Sequence, residues 1–296
     1  MGLNGVSSED LKKALNSQFS FLNGAKAAIT FSIDDCWEST SLALFELLEN
    51  FNFCGTFNVI AEFAGKKIGF VKFADWNLLK EIALHGNELA SHSLTHKPLN
   101  TSIVPPHLKK LSNAVRHEDP IRLFWRVISL LKQKSAISNV KHFSFEEELC
   151  LSREKIQEKT GVSCKAYVYP GGSYDEQYKA MVMKAGYTSA RSGYVGYNSL
   201  WNSDIFALKV QIWDSKVDGK TAKRWVNEAL RSNYWLIEVI HAVDHPHYIY
   251  SANLMDLRKH LEYIAHKRND LWISTQTRIA EFLNLRLREL KDNRSF

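Results

Sequence analysis

Residues 27–37 read AAITFSIDDCW, a run of β-branched and aromatic residues that ends in two adjacent carboxylates. The apolar part, residues 27–33, predicts a β-strand. A helix is predicted directly after it, because leucine and phenylalanine recur at helical spacing in SLALFELLENF, residues 41–51, with Ser39 or Thr40 as the expected cap. A strand that leads directly into a helix is the repeating unit of folds with parallel sheets.

The same alternation continues along the chain. About eight strands, nearly all followed by helices, predict an α/β fold of parallel strands with helices packed outside, open or closed into a barrel. No GxGxxG follows the first strand and no GxxxxGK[ST] occurs, which removes the main support for a dinucleotide-binding fold and excludes a P-loop. The further predicted strands are 53–59, 87–93, 164–169, 187–192, 206–212, 235–241 and 271–275, and the further helices are 75–86, 144–161, 175–186, 221–232, 253–267 and a last one beyond 275.

The composition is that of a globular protein with a substantial core. The chain has 296 residues and a mass of 34.0 kDa, with 45% hydrophobic and 24% charged residues. It contains no run of about 18 apolar residues, and its amino-terminal sequence has no apolar segment of signal-peptide length. Together with four scattered cysteines, which are typical of reduced thiols, these features predict a cytoplasmic location.

The positive charge is concentrated in one segment, residues 100–143. The net charge is +6 and the isoelectric point is near 9.0. The segment holds eight basic and two acidic residues, and eight minus two equals that whole excess. It includes a predicted helix at 121–131 and can be a solvated surface insertion. It can also attract an anionic substrate, a phosphate-rich partner or a membrane surface, or form an oligomer contact.

One domain, residues 1–296, is the simplest organisation, because no linker rich in proline, glycine or serine and no internal repeat divides the chain. No RNA-binding signature with aromatic platforms occurs, so we expect no nucleic-acid partner.

Reactive side chains of such folds gather where the strands end. The first strand ends in Asp34 and Asp35, which point in different directions, so one can bind a metal while the other faces a substrate. Capping of the following helix is the alternative. His92 and His96 follow the third predicted strand, and in a helical turn this spacing places both imidazoles on one side. If they are not ordinary surface histidines, they complete a three-ligand metal set with one aspartate.

Two later strand ends add polar groups. Tyr169-Pro170-Gly171-Gly172 follows the fourth predicted strand, and the glycine N–H groups can approach a ligand closely and hold a developing oxyanion. An ordinary turn is the alternative here. His241 ends the seventh predicted strand, where it can be a general acid or a buried structural histidine.

Four motifs in this order resemble those of the NodB-homology polysaccharide deacetylases, carbohydrate esterase family 4. The resemblance covers about residues 26–283, with 100–143 as an insertion. It implies a distorted (β/α) barrel of seven or eight parallel strands in a single catalytic domain. The motifs are Thr30-Phe31-Ser32-Ile33-Asp34-Asp35, Ser91-His92-Ser93-Leu94-Thr95-His96, Tyr169-Pro170-Gly171-Gly172 and Ile240-His241.

The resemblance implies a role for each matching residue. Asp35, His92 and His96 match the metal ligands of the family. Asp34 matches the catalytic base that takes the proton of the attacking water, and His241 matches the general acid that protonates the leaving amine.

It also implies an oxyanion donor and a substrate-binding set. The backbone N–H of Gly171 matches the oxyanion donor, and Trp213 matches loosely the aromatic residue that lines the acetyl pocket. The expected oxyanion and substrate-binding residues are Tyr169, Pro170, Gly171, Gly172, Trp37 and Trp213.

Three positions depart from the family pattern. Val168 stands where the family often has an arginine that orients the catalytic base, which leaves the orientation of Asp34 without an explanation. Cys36 replaces the usual glycine after the two aspartates. The aspartate of the fourth motif has two candidates, Asp214 and, more weakly, Asp218.

The expected function is therefore metal-dependent removal of an N-acetyl or other N-acyl group from an amino sugar or polysaccharide, with release of acetate. Zn²⁺ is the expected ion, and Co²⁺, Ni²⁺, Mn²⁺ or Fe²⁺ also suit the ligand types. Two alternatives stay open: an inactive carbohydrate- or polyanion-binding protein on the same scaffold, and an amide hydrolase that acts on a non-sugar substrate.

Overall fold

The computed structural model describes residues 20–99, 143–201, 203–246 and 248–292. The basic segment 100–143, except its last residue, and the predicted helix 121–131 lie outside these ranges. Within them, no helix has both the length and the apolar character that a membrane crossing requires.

Thirteen strands occur in the described part of the chain, and seven of them form the barrel. In chain order they are β1 (Ala27–Ile33), β2 (Gly55–Val59), β3 (Lys67–Ile68), β4 (Val71–Lys72), β5 (Glu88–Ser91), β6 (Ala166–Val168), β7 (Ser189–Val195), β8 (Asn198–Ser199), β9 (Leu208–Ile212), β10 (Tyr234–Ile240), β11 (Ala242–Val243), β12 (Ser251–Ala252) and β13 (Leu271–Ile273).

The barrel closes around β1. Parallel pairing runs in the order β1-β2-β5-β6-β7-β9-β10, and β10 pairs again with β1. On the other side of β1, β13 pairs with its first half, from Ala27, and β2 with its second half, up to Ile33. All seven residues of β1 are buried. The seven-stranded parallel barrel confirms the predicted α/β barrel, and β13 distorts it by pairing with the first half of β1, which β2 does not pair with.

Helices connect successive strands on the outside of the barrel. Five of them begin at a side chain that accepts a hydrogen bond from the first turn, and Ser144 with Glu147 forms a complete capping box. The helices are α1 (Glu38–Glu49), α2 (Trp76–Leu84), α3 (Phe145–Thr160), α4 (Glu176–Lys184), α5 (Gly219–Ser232), α6 (Leu254–His266) and α7 (Gln276–Asp292).

Five short strands were not predicted, because two-residue pairings have no hydrophobic period that a sequence pattern can show. β3 and β4 form an antiparallel hairpin, β8 pairs with the start of β10, and β11 pairs with β12 after β10. The β11–β12 pair shapes the loop that follows His241.

The interior of the barrel differs between its two ends. At the amino ends of the strands, Ala28 and Trp235 pack with Ile279 and Leu283 of α7, so this helix closes that end with apolar contacts. Towards the carboxyl ends, polar residues such as Ser32 and Asn58 face inward and bond to each other at 2.8 Å. The barrel therefore has an apolar floor and a polar mouth.

Candidate active site

Asp34 and Asp35 lie in the turn between β1 and α1. The backbone N–H of Asp34 donates to the carbonyl of Ile240 at 2.9 Å, which fixes the end of β1 against β10. Asp35 and Cys36 then take left-handed conformations, with φ of 64° and 52°. This conformation favours glycine, so the glycine expected at position 36 has a backbone reason. Because the chain turns here, the two carboxylates face different partners.

His92 and His96 follow β5 on an irregular loop, so the predicted helical turn is wrong. Ser93 and His96 have positive φ, 64° and 59°, and the Ser93 hydroxyl accepts the N–H of His96 at 2.8 Å. The two imidazole rings lie edge to face with centroids 4.6 Å apart. The loop thus brings both rings to one place by a route that helical spacing does not describe.

The loop is held from outside by α3. Glu148, only 1% exposed, accepts the backbone N–H of Thr95 at 2.8 Å and also its hydroxyl at 2.5 Å. Since Thr95 lies between the two histidines, this carboxylate fixes the backbone that carries them.

Three side chains form a possible metal site. One nitrogen each of His92 and His96 and one oxygen of Asp35 lie within 4.8 Å of one another. His92 Nε2 is 3.5 Å and His96 Nε2 is 3.8 Å from Asp35 Oδ1. The other nitrogen of His92, Nδ1, lies 3.0 Å from the carbonyl of Val168, to which it can only donate. This bond fixes the tautomer and leaves the Nε2 lone pair directed at the cluster, as in metal-binding histidines.

Burial keeps both imidazoles neutral. Loss of solvation, only partly opposed by the charge of Asp34, lowers the pKa of His92 to about 4. Burial, with help from His92, also lowers the pKa of His96 well below its ordinary value. A metal ligand must be a neutral imidazole. The nitrogen, nitrogen and oxygen donor set therefore fits a divalent transition metal.

Asp34 faces the opposite side of the turn and has three partners. Its Oδ1 accepts hydrogen bonds from Asn58 Nδ2 at 2.7 Å and from Arg191 Nη2. His241 Nε2 lies 3.4 Å from Oδ2. Burial opposes ionisation of this carboxyl, but the positive charge of Arg191 outweighs it and holds the pKa of Asp34 well below its usual range. Asp34 is thus an ionised carboxylate with one oxygen directed at a histidine.

Arg191 is the residue that the sequence analysis missed. It lies in the SARS segment, which was identified only as a strand. A charged residue in the middle of an otherwise small and buried strand is unusual, and that is the signal that could have identified it. It supplies a guanidinium to Asp34 although position 168 is a valine.

His241 stands at the end of β10, beside an aromatic cluster. Its ring is 5.1 Å from that of Tyr250 and 6.5 Å from that of Tyr248. Trp37, 3% exposed, packs against Tyr248 with ring centroids 5.0 Å apart. Trp37 therefore supports the wall beside His241, and its ring has little surface of its own.

The turn after β6 holds Pro170, Gly171 and Gly172. Gly171 is exposed and has a φ of 65°, and a Cβ added to it would approach Pro98 at 3.8 Å. Gly172 donates to the carbonyl of Tyr169 at 2.8 Å. The Tyr169 ring is fully buried and points to the helix layer, where its hydroxyl donates to Phe206. Tyr169 therefore contributes backbone, not a side chain, to this side of the mouth.

Trp213 does not join the cluster. It is completely buried, and its indole N–H donates to Glu238 Oε2 at 2.8 Å on the outer side of β10. The expected lining of an acetyl pocket is wrong for this side chain, because a strand that alternates its faces directs Glu238 and its partners away from the barrel interior.

The two candidates for the fourth-motif aspartate, Asp214 and Asp218, lie in the segment between β9 and α5. Asp214 accepts the N–H of Lys216 at 2.8 Å, and Asp218 caps α5 through the N–H of Thr221. Both lie on a cavity of about 730 Å³ between the loops that follow β9 and β10. This cavity also contacts Tyr248, so it adjoins the wall beside His241.

Comparisons with known proteins agree with this geometry. A family model described as "Polysaccharide deacetylase" matches residues 22–190. No curated protein matches the chain. A crystal structure from Mycobacterium smegmatis, provisionally named as a polysaccharide deacetylase, is similar over 90% of this chain and 93% of its own, with 16% identity and a TM-score of 0.56.

A second similar structure is the Xyl-CE4 domain of a multidomain xylanase from the hindgut metagenome of Trinervitermes trinervoides. It covers 86% of this chain and 90% of its own, with 15% identity and a TM-score of 0.48. The first of the two structures supports the barrel fold, and the second is a weaker likeness.

Proposed function

The chain belongs to the polysaccharide deacetylase family, and we propose that it is a metal-dependent hydrolase that removes an N-acetyl or other N-acyl group from an amino sugar or polysaccharide. Membership makes the chain a deacetylase, a hydrolase. Metal dependence and the sugar substrate are the proposal. It rests on one observation: Asp35 and two neutral imidazoles, His92 and His96, form a donor set directly beside an Asp34–His241 pair at the barrel mouth.

Asp35, His92 and His96 would hold the metal. Zn²⁺ suits a set of two imidazoles and one carboxylate, and Co²⁺, Ni²⁺, Mn²⁺ and Fe²⁺ suit it as well. When bound there, such an ion lowers the pKa of a coordinated water and polarises the acyl carbonyl.

Asp34 and His241 would move the protons. Asp34 is ionised, so its Oδ2 can accept the proton of a water that attacks the acyl carbon. His241, 3.4 Å away, can donate a proton to the nitrogen that leaves when the C–N bond breaks. The products are acetate, or another carboxylate, and a free amino sugar.

The turn at Pro170–Gly172 would support the oxyanion. Gly171 is exposed at this turn with a backbone conformation that suits glycine, so its N–H can approach a ligand without a side chain in the way. The aromatic wall beside His241 includes Tyr248, against which Trp37 packs.

The experiment measures metal content and acetate release together. We expect about one metal per chain and acetate release from at least one member of a panel of N-acetylated mono- and oligosaccharides. A protein that binds no metal and stays inactive with added Zn²⁺ or Co²⁺ would favour the inactive binding protein. Activity on N-acetylated amines without a sugar, and on no sugar, would favour the non-sugar amidase.

Two further expectations stay predictions. They are the cytoplasmic location and an oligomer contact through the basic segment 100–143, which lies almost entirely outside the described residues.

A further inference from the structure

A single buried arginine reaches Asp34 from across the barrel mouth. Arg191 Nη2 donates to Asp34 Oδ1, and the two side chains are only 3% and 4% exposed. Arg191 also donates from Nη1 to the Ser192 carbonyl at 3.3 Å. Burial of a guanidinium to this degree costs free energy unless hydrogen-bond and charged partners satisfy it, so Asp34 is an essential partner of Arg191.

The arginine stands directly beside Val168. In the parallel pair β6–β7, Val168 and Arg191 are register partners. Register partners on parallel strands point to the same face, with their Cβ atoms about 5 Å apart. The neighbours of Val168 in sequence, Tyr167 and Tyr169, pack in the outer core cluster, and Val168 therefore faces inward, as Arg191 does.

The two carboxylate oxygens of Asp34 have different partners. Oδ1 accepts from Arg191 and from Asn58, and Asn58 Nδ2 is itself held by the Ser32 hydroxyl at 2.8 Å. Oδ2 faces His241. Rotation of the carboxylate about its Cβ–Cγ bond would lose the paired donors on Oδ1. These contacts therefore hold Oδ2 at the place where a proton can be transferred.

We propose that Arg191 is the positioning residue for Asp34, supplied from β7 at the register point where β6 carries Val168. The inference rests on the proposed function for its kinetic consequence, but its geometric consequence, the orientation of the Asp34 carboxylate, is independent of it. A purely structural ion pair is the competing explanation.

Two variants separate the two explanations. Arg191→Lys keeps the charge and loses the planar fork, and Arg191→Gln loses the charge. Because a misplacement of about 1 Å can cost about 100-fold in rate, we expect kcat to fall about 10-fold in the first and about 100-fold in the second, with KM within about twofold and metal content unchanged. A loss confined to stability or to KM would overturn the proposal.

Transfer of the arginine is the sharpest test. Arg191→Val should lose activity as Arg191→Gln does. Addition of Val168→Arg in the same chain should raise kcat at least about tenfold above that of Arg191→Val, because the new guanidinium starts one strand away on the same face. A structural role of position 191 predicts that the second substitution makes the protein worse.

Arg153→Gln is the matched control. Arg153, on the outer helix α3, donates to the backbone carbonyls of Cys164 and Ala185, at 3.1 and 2.9 Å. The same substitution there should lower stability and leave kcat unchanged.

A crystal structure of Arg191→Gln keeps the test independent of activity. We expect the Asp34 carboxylate to turn, so that Oδ2 no longer faces His241. If the wild type binds metal but releases no acetate from any substrate, the proposed function fails, and this structure still decides the positioning role. An unchanged Asp34 orientation in Arg191→Gln would overturn it.

Discussion

Two buried histidine–carboxylate pairs flank β10, and they differ in what else can reach them. Asp34 and His241 meet at the barrel mouth, where the histidine side chain is 19% exposed. Glu238 and His260 meet on the outer side of the same strand with no exposure at all, at 2.8 Å between Oε1 and Nε2.

The surroundings of the two pairs also differ, because the first pair is open to other groups and the second is enclosed. Asp34 has an oxygen directed at a partly open histidine and a metal-ligand set beside it. Glu238 is closed by the Trp213 indole on its second oxygen and by α6 above. An acid and a histidine in contact are therefore a poor indicator of catalysis by themselves, and access and neighbouring groups decide which pair does chemistry.

The largest expected effect is on the metal. Asp35→Ala removes one of three ligands, so we expect bound metal to fall below about 0.1 per chain and activity to reach background. The measurement is metal analysis of dialysed protein by plasma mass spectrometry. Asp75→Ala, which removes only the cap of α2, should keep both metal and activity. Metal retained in Asp35→Ala would remove Asp35 from the ligand set.

Alanine substitution of the histidine in each pair should affect different properties of the protein. His241→Ala removes the proposed proton donor and should lower kcat about 100- to 10,000-fold while metal stays bound. His260→Ala leaves Oε1 of the buried Glu238 without its histidine partner and should lower the free energy of unfolding by about 3–5 kcal/mol.

Each variant should change one measurement and leave the other unchanged. Urea unfolding followed by circular dichroism should show little change for His241→Ala, and kcat per folded chain should show little change for His260→Ala. His260→Gln retains a hydrogen-bond donor and serves if the alanine variant does not fold. A catalytic loss in both folded variants would contradict the division between the two pairs.

The smallest effect is expected at Trp213. Trp213→Phe removes the indole N–H and leaves Glu238 Oε2 without that donor, which should cost about 1–3 kcal/mol of stability. KM and kcat should not change, because the ring has no exposed surface. A raised KM for acetylated substrates in a stable variant would place Trp213 in the substrate pocket after all.

The order of the strands and helices, and the proximity of the metal-ligand candidates at the barrel mouth, were predictable from the sequence. Strand and helix patterns are local, and the carboxyl ends of parallel strands meet at one edge. Asp35, His92 and His96 could therefore be grouped from their positions alone, although the path of the loop between the histidines could not.

Contacts that depend on register were not predictable. Arg191 reaches Asp34 because β6 and β7 align it with Val168, and no pattern in a single strand states which residue of the next strand stands beside it. Likewise, the meeting of Glu238 with His260 depends on how α6 packs on β10, which is set by many side chains together.

The pairing of β1 with β10 also means that the barrel cannot close until late in the synthesis of the chain. β1 ends at residue 33 and β10 begins at residue 234, so β1 leaves the ribosome about 200 residues before the strand that closes the barrel. At 5–20 residues per second this interval is roughly 10 to 40 s. During this interval, one edge of a strand that is completely buried in the folded protein has no permanent neighbour, and α7, which fills the floor, is synthesised later still. Nascent chains stalled before residue 234 should therefore be the species that engages chaperones most strongly.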